Sequence, residues 1–344
     1  MIHIGILGGG NISETHARAA NEIEGVEIAA IYGRNQEKSA RLSQLYGGTV
    51  YEDFEGFLEH RPMNMVAIGT PSGLHAEQGI AAARRGLHVL VEKPIDINTA
   101  RADALITECE RARVKLGVFF QDRVAPDLIR LKELIDAGRL GKPVLVSARV
   151  KWYRPAEYYS ESRWRGTRAL DGGGALINQG VHTVDLLLWL IGDVTRVQAR
   201  AITALHQIEV EDTVVATLEF SNGAVGTLEA TTSVYPGYPR RLELTGSEGT
   251  IIVEGDRIVA ADLRHPLALS GTKEERVHDS ATSPVVSDVG GHRQLLQDFI
   301  HAIEMNGSPC CNGHEARRSV ELVQATYESS RTGRPVRLHP QKII

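Results

Sequence analysis

The sequence predicts an α/β chain in two parts: a doubly wound parallel sheet, then an α/β domain built on a large, open, mainly antiparallel sheet. Three observations carry this. Over roughly the first 120 residues short apolar runs alternate with helical stretches, the signature of parallel strands with helices on both faces. The first apolar run ends in Gly8-Gly9-Gly10. Beyond Phe120, β-branched runs succeed one another through short turns, which makes an antiparallel sheet.

In order, residues 2–7 read as a strand, 13–22 as a helix, 26–32 as a strand and 37–46 as a helix. Residues 65–69 are apolar throughout and read as a buried strand, followed by a helix over 76–85, a strand over 88–92, a helix over 99–113 and a last apolar run over 115–120. The second part offers strands at 144–152, 195–203, 212–220, 224–233, 241–244 and 250–253. Asn222-Gly223 is a two-residue hairpin signal, and the segment 246–249 (Gly-Ser-Glu-Gly) marks a further turn. A helix over 174–190 interrupts the strands, 279–291 is loop-like, and 292–305 and 316–330 close the chain as helices. The expected domains are 1–121 and 122–344, the latter including the closing helix 316–330.

Composition narrows the function. The length, 344 residues, suits two domains at roughly 150 residues each. Against 43 acidic residues stand 38 Lys and Arg, a net charge of −5, which argues against nucleic acid and anionic membranes as partners. A hydrophobic share of 42% supports a true core. Cys109, Cys310 and Cys311 form no disulfide framework, so a reducing compartment is expected. The start, Met1-Ile2-His3-Ile4-Gly5, resembles no secretory leader, and the best apolar run, 186–191, is far too short to span a bilayer. A cytoplasmic location is therefore expected. His60, His206, His265, His278, His301, His314 and His339 are scattered without metal-ligand spacing, and no metal is assigned.

The segment Gly8-Gly9-Gly10-Asn11-Ile12-Ser13 joins a strand to a helix. Gly8 permits the tight turn, Gly10 admits the backbone to a pyrophosphate, and the helix start at Asn11 and Ile12 supplies N–H donors. This is the dinucleotide-binding turn of a Rossmann domain, with Ser13 where the fingerprint has its third glycine. Such folds hold the ribose of NAD with an acidic residue about 20 residues further on. Here Gly33 stands 23 residues after Gly10, with Arg34 beside it and Lys38 one helical turn on. With no carboxylate to repel a 2′-phosphate and a guanidinium to pair with it, NADP is preferred over NAD.

Further motifs carry a family resemblance. The glycine turn, Thr70-Pro71 with His75, and Glu92-Lys93-Pro94 resemble the Gfo/Idh/MocA oxidoreductases, the relatives of glucose–fructose oxidoreductase and inositol dehydrogenase. Gly172-Gly173-Gly174 with Asn178, His182 and Asp185 is similar to the family's substrate-domain helix, and Arg123, Gly138, Leu140-Gly141 and the closing helices extend the likeness over nearly the whole chain. The resemblance implies a nicotinamide dinucleotide bound by the first domain, with Thr70, Pro71, His75, Glu92 and Gln121 among its contacts. It implies a second domain that covers the nicotinamide and builds a dimer or tetramer through its sheet. Carried over, Lys93 and His182 are the catalytic residues at the reacting carbon. Many relatives have a carboxylate four residues before the histidine; here it is Asn178, suited to orienting a hydroxyl. The stretch from Lys151 to Gln179, with Tyr153, Arg154, Tyr158 and Trp164-Arg165, looks most like nucleotide-sugar 3-dehydrogenases, in which a Trp-Arg pair lies at the cofactor.

The residues suit that chemistry. Oxidising a secondary alcohol needs a hydride acceptor, a base and a stabiliser for the developing alkoxide. Lys93, at the carboxyl end of a parallel strand, suits the last task, and a cis Lys93–Pro94 bond is expected. Glu92 is expected to position the ribose or the nicotinamide edge. His182 suits the base, with Asp185 three residues on to orient its ring; Lys93 is the other candidate base. Arg123, Tyr153, Arg154, Tyr158 and Asn178 are expected to line the sugar pocket. The substrate is a small carbohydrate-like molecule: a sugar, polyol or nucleotide sugar. Two alternatives stay open, a glycosidase that uses a held dinucleotide transiently and a non-catalytic dinucleotide sensor.

Overall fold

The computed structural model describes residues 1–265 and 289–339. It divides into two compact units, Met1–Gln121 with Val286–Arg317, and Asp122–Val285 with Arg318–Ile344.

In the first unit, β1 (Ile2–Leu7), β2 (Val26–Tyr32), β3 (Thr49–Tyr51), β4 (Met65–Ile68), β5 (His88–Glu92) and β6 (Leu116–Phe119) alternate with α1 (Asn11–Asn21), α2 (Gln36–Tyr46), α3 (Phe54–Glu59), α4 (His75–Arg84) and α5 (Thr99–Ala112). The strands form one sheet in the order β3-β2-β1-β4-β5-β6, every neighbouring pair parallel. All of β4 is buried, as a strand covered on both faces must be. The strand order reverses between β1 and β4, and in such sheets ligands bind beyond the carboxyl ends of the strands at that reversal. The sequence did not announce β3 and α3. Both are too short for a hydrophobic period to register; α3 is started by Asp53, whose carboxylate accepts the Gly56 N–H at 2.6 Å.

The second unit opens with α6 (Pro126–Asp136), β7 (Pro143–Lys151) and α7 (Ala156–Ser160). The helix expected over 174–190 is in two pieces, a π-helical turn (Ala175–Gly180) and α8 (Val181–Leu190). The cause lies outside the segment. The Glu211 carboxylate accepts the N–H groups of Gly174 and Leu176, both at 2.9 Å, and the Glu211 carbonyl accepts that of Ala175 at 3.0 Å. Then follow β8 (Val194–Ile202), β9 (Thr213–Phe220), β10 (Val225–Thr231), β11 (Arg241–Gly246), β12 (Gly249–Glu254) and β13 (Arg257–Leu263). Asn222-Gly223 closes the β9–β10 hairpin as expected, with Gly223 at φ +88°.

With β14 (Val336–Arg337), these strands form a sheet in the order β13-β12-β11-β7-β10-β9-β8-β14. It is antiparallel except for the pair β7 and β10. That pair is parallel because the helices and the β8–β9 hairpin between them give the chain length to cross over. One face buries Val214, Ala216, Leu218 and Phe220 of β9 in a core that also holds Leu128 and Leu131 of α6 and Val184 and Leu187 of α8. The other leaves Leu145, Val215 and Val225 about half exposed.

The domain boundary needs correction. Instead of staying with the second part, α9 (Gly290–Glu304) belongs to the first unit, where Leu295, Leu296, Phe299 and Ile300 pack toward α1, β5 and β6. Gly117 of β6 makes this possible, since a Cβ there would lie 2.6 Å from the Phe299 ring. The last helix, α10 (Gly313–Thr332), is shared at Arg317/Arg318. Most of the expected 279–291 loop lies outside the described residues.

Candidate active site

In the first unit the glycine turn is built by close approach. Gly8 has φ +123°, and a Cβ there would meet Ser13 Oγ at 2.4 Å and the Gly69 carbonyl at 2.8 Å. At Gly10, which precedes α1, a Cβ would meet nothing within 4 Å, so the space above the helix start is open. The first N–H groups of α1, from Asn11 and Ile12 on, have no intrahelical acceptor. Ser13 Oγ is buried without a protein partner beside them. An open cradle, orphan donors and the positive end of a helix fit a dinucleotide pyrophosphate.

Gly33 closes on the same turn: a Cβ would lie 2.8 Å from Ser39 Oγ and 3.0 Å from Gly9 N, so this position has no room for a carboxylate. Arg34 and Lys38 are exposed, and α2 is capped instead by Asn35, whose Oδ1 accepts the Lys38 N–H at 2.9 Å. Gln121 keeps its Oε1 buried without a protein partner, as a cofactor contact would.

Two expected cofactor contacts have other tasks. His75 is buried, with Nδ1 2.8 Å from the Pro94 carbonyl and Nε2 2.9 Å from the Thr70 carbonyl. It ties the Thr70-Pro71 loop to the loop after β5, and burial pushes its pKa down. Glu92 is buried too, rather than turned to a ribose. Its Oε1 lies 2.9 Å from His16 Nε2 and 3.3 Å from His292 Nε2, and its Oε2 accepts the Lys93 N–H at 3.2 Å. Burial pushes this carboxyl up, but hydrogen bonds from the two histidines outweigh it and hold it well below the usual range. Among the described residues, His16, Glu92 and His292 are the one trio whose metal-type donor atoms converge, all within 4.8 Å. His16 is hydrogen-bonded to Glu92, and His292 lies within ion-pair reach of the same oxygen. The half-buried Lys93 thus sits at the carboxyl end of β5 on a backbone fixed by Glu92, and the Lys93–Pro94 bond is cis as expected.

In the second unit, His182 is the second residue of α8 and is buried. Asp185, expected to orient its ring, has a close ion-pair partner of its own. It holds Arg123 in a bidentate pair at 2.8 and 2.7 Å, with both side chains at most 2% exposed, and its Oδ1 also lies 3.5 Å from Ser319 Oγ. Arg123 is therefore a buried strut and not a sugar-pocket residue, since a desolvated guanidinium takes the nearest carboxylate. Arg123→Ala is expected to cost about 3–5 kcal/mol of stability by stranding Asp185, read from the urea midpoint. An unchanged midpoint would contradict this role.

A carboxylate that faces His182 is Asp122, with Oδ2 3.5 Å from Nδ1. Sequence reading missed it because it lies 60 residues away, and only its position just after β6, beside Gln121, could have drawn attention. The half-buried Asn178 donates to Asp171 Oδ1 at 2.5 Å, and its Oδ1 accepts from Gln179 Nε2 at 3.1 Å. That amide also donates to the Tyr158 hydroxyl at 2.9 Å. The Arg165 guanidinium stacks over the Tyr158 ring at 4.2 Å and lies 5.4 Å from the Trp164 ring, with Arg154 5.5 Å from the Tyr158 ring. Tyr158, Asn178, Arg154, Trp164 and Arg165 thus form one polar, aromatic and cationic patch. Tyr153 packs edge-on against Tyr235, with ring centres 5.2 Å apart.

Comparison with known proteins identifies the family. The family described as "Oxidoreductase family, NAD-binding Rossmann fold" matches residues 2–120, and the GFO/IDH/MocA C-terminal domain matches residues 128–252. Myo-inositol 2-dehydrogenase of Thermotoga maritima is 25% identical over 350 residues, covering 98% of each chain. D-xylose 1-dehydrogenase (NADP(+)) 2 of Haloferax volcanii is 28% identical over 337 residues, covering 97% of this chain and 99% of that one. Among solved structures, the WlbA dehydrogenase from Bordetella pertussis, in complex with NADH and UDP-GlcNAcA, is 31% identical, covers 99% of both chains and superposes with a TM-score of 0.89. The chain belongs to the Gfo/Idh/MocA family and is an NAD(P)-dependent dehydrogenase acting on CH–OH groups.

Proposed function

We propose that the protein transfers a hydride between NADP or NAD and a secondary hydroxyl or ketone of a sugar, polyol or nucleotide sugar, with Lys93 and His182 acting at the reacting carbon. The observation that carries the reading is Lys93 at the carboxyl end of β5, its backbone N–H held by buried Glu92, in the same unit as the glycine turn. The nicotinamide, when bound, takes or gives the hydride. Lys93 donates a hydrogen bond to the substrate oxygen, lowers the hydroxyl's pKa and stabilises the alkoxide. His182 takes the hydroxyl proton and returns it in the reverse direction. Asn178, fixed by Asp171, orients a neighbouring hydroxyl.

A nucleotide sugar is the favoured substrate class within this reading. The half-buried Tyr158 and Arg165 offer a stacking surface and a cationic donor for an anionic sugar or diphosphate, Arg154 being buried beneath them on the Tyr153 carbonyl and Gln179, and the WlbA relative was solved with such a ligand. Gly33 with Arg34 and Lys38 favours NADP. Arg34→Ala is then expected to lower kcat/KM for NADP about 10–100-fold, as loss of a charge-assisted hydrogen bond does, and to leave the value for NAD unchanged. Equal losses for both cofactors would remove the argument for NADP. The half-exposed sheet face bearing Leu145, Val215 and Val225 suits a second copy of this chain in a dimer or tetramer.

The direct test is reduction of NADP and of NAD, followed by absorbance against a panel of sugars, polyols and UDP-sugars. We expect turnover with a subset of the panel. Silence across it, with dinucleotide binding shown by calorimetry, would turn the assignment toward a transiently redox glycosidase or a sensor.

A further inference from the structure

We propose that Asp122 is the positioning carboxylate of His182, and that Arg240 tempers it. Its action on catalysis rests on the reading of His182 as the proton acceptor. Asp122 Oδ2 lies 3.5 Å from His182 Nδ1, with the two side chains only 17% and 10% exposed. The same oxygen takes the buried Arg240 guanidinium, whose Nε donates to the Gly255 carbonyl at 2.7 Å. The carboxylate is therefore held in place rather than swinging in solvent.

The other polar groups near the ring have different tasks. Asp185, one turn on along α8, is bound by Arg123, and Asn178, one turn earlier, is bound by Asp171. Of the elements packed on α8, α6 and β7 contribute apolar Leu128, Leu131, Val146, Ala148 and Val150 to the core, and α10 brings Ser319 to Asp185 and Arg318 to the Leu188 carbonyl and Asp193. Lys93 is the remaining charge that the functional reading brings to the same carbon. A carboxylate facing Nδ1 selects the tautomer with the proton on Nδ1, so the lone pair that attacks is on Nε2. The substrate O–H bond breaks as the N–H bond at Nε2 forms, the hydride leaves the same carbon for the nicotinamide, and Asp122 stays ionised beside the imidazolium. Arg240 works in the opposite sense. By competing for Asp122 it weakens the pull of the carboxylate on the imidazolium.

The two partners therefore have opposite signatures. Asp122→Asn removes a stabiliser of the imidazolium, so the acid limb of kcat/KM against pH moves down by about one unit and kcat falls about 10–100-fold. Asp122→Glu restores part of the loss. Arg240→Lys, which keeps a cation but loses the fork, moves the acid limb up, and an unmoved limb would mean that Arg240 does not temper the pair. A readout independent of turnover is the titration of the His182 ring by long-range 1H–15N spectra. We expect Nδ1–H in the native protein and a lower ring pKa in Asp122→Asn. An unchanged ring titration and acid limb in a folded Asp122→Asn protein overturns the pairing. If His182→Asn keeps full activity, the base assignment fails instead, and the proposed effect of Asp122 on catalysis fails with it. The ring titration then still decides whether Asp122 governs the imidazole.

Discussion

Lys93→Met is expected to lower kcat by roughly 10²–10⁴-fold while dinucleotide binding and thermal stability stay close to native. The substitution deletes the ammonium but keeps a chain of similar length, and it leaves the Lys93 N–H on Glu92 Oε2 untouched. The His16–Glu92–His292 group, whose Glu92 precedes Lys93 in the chain, is buried and held by contacts among its own side chains. The loss should therefore appear in the chemical step and not in folding. Steady-state kinetics, calorimetry with the dinucleotide and a melting curve separate these effects. A variant retaining more than about a tenth of native kcat would mean that the ammonium does not stabilise the alkoxide.

Gly174→Ala is expected to be among the most destabilising single substitutions in the second unit. A Cβ at this position would lie 1.7 Å from the backbone oxygen of Glu211, a contact no rotamer can relieve. The chain must move Glu211 or the start of the π-helical turn. Either movement disturbs three hydrogen bonds, from Gly174 and Leu176 to the carboxylate and from Ala175 to the carbonyl. At about 1 kcal/mol for each bond and about 1–3 kcal/mol for overpacking, the cost is about 4–6 kcal/mol. Glu211 is an exacting partner: desolvation raises its pKa to about 6 against the pull of these bonds, and Tyr327 donates to it at 2.8 Å. The turn carries Asn178 and leads into His182, so the surviving activity should fall with stability. Urea denaturation and kcat/KM check both. A midpoint within about 0.5 kcal/mol of native would show that the turn tolerates displacement.

Much of the first unit was legible locally. Strands such as β4 are apolar on both faces, and a glycine turn at the end of β1 can be read from spacing because turn geometry depends on neighbours in the chain. The position of Lys93 at a strand end followed from the same register. The helix at 174–190 was legible in part. Its apolar content was visible, but the π-helical turn was not, because acceptors that reshape it come from Glu211, more than 30 residues away. The short β3 and α3 left no period to read.

By itself, then, the sequence determined the α/β alternation, the glycine turn at the end of β1 and the missing acidic residue at Gly33, all of which rest on short-range spacing, while Lys93 and His182 became candidates through the family resemblance. Only the tertiary structure decided which buried charges pair. It gave Asp185 to Arg123 across 62 positions, Glu92 to His16 across 76, and Asp122 to both His182 and Arg240. It also returned α9 to the first unit through the space that Gly117 leaves for Phe299. The physical reason is the same in each case. Backbone preference is set within a few residues, whereas a desolvated charge or an apolar ring takes the partner that the fold brings within reach.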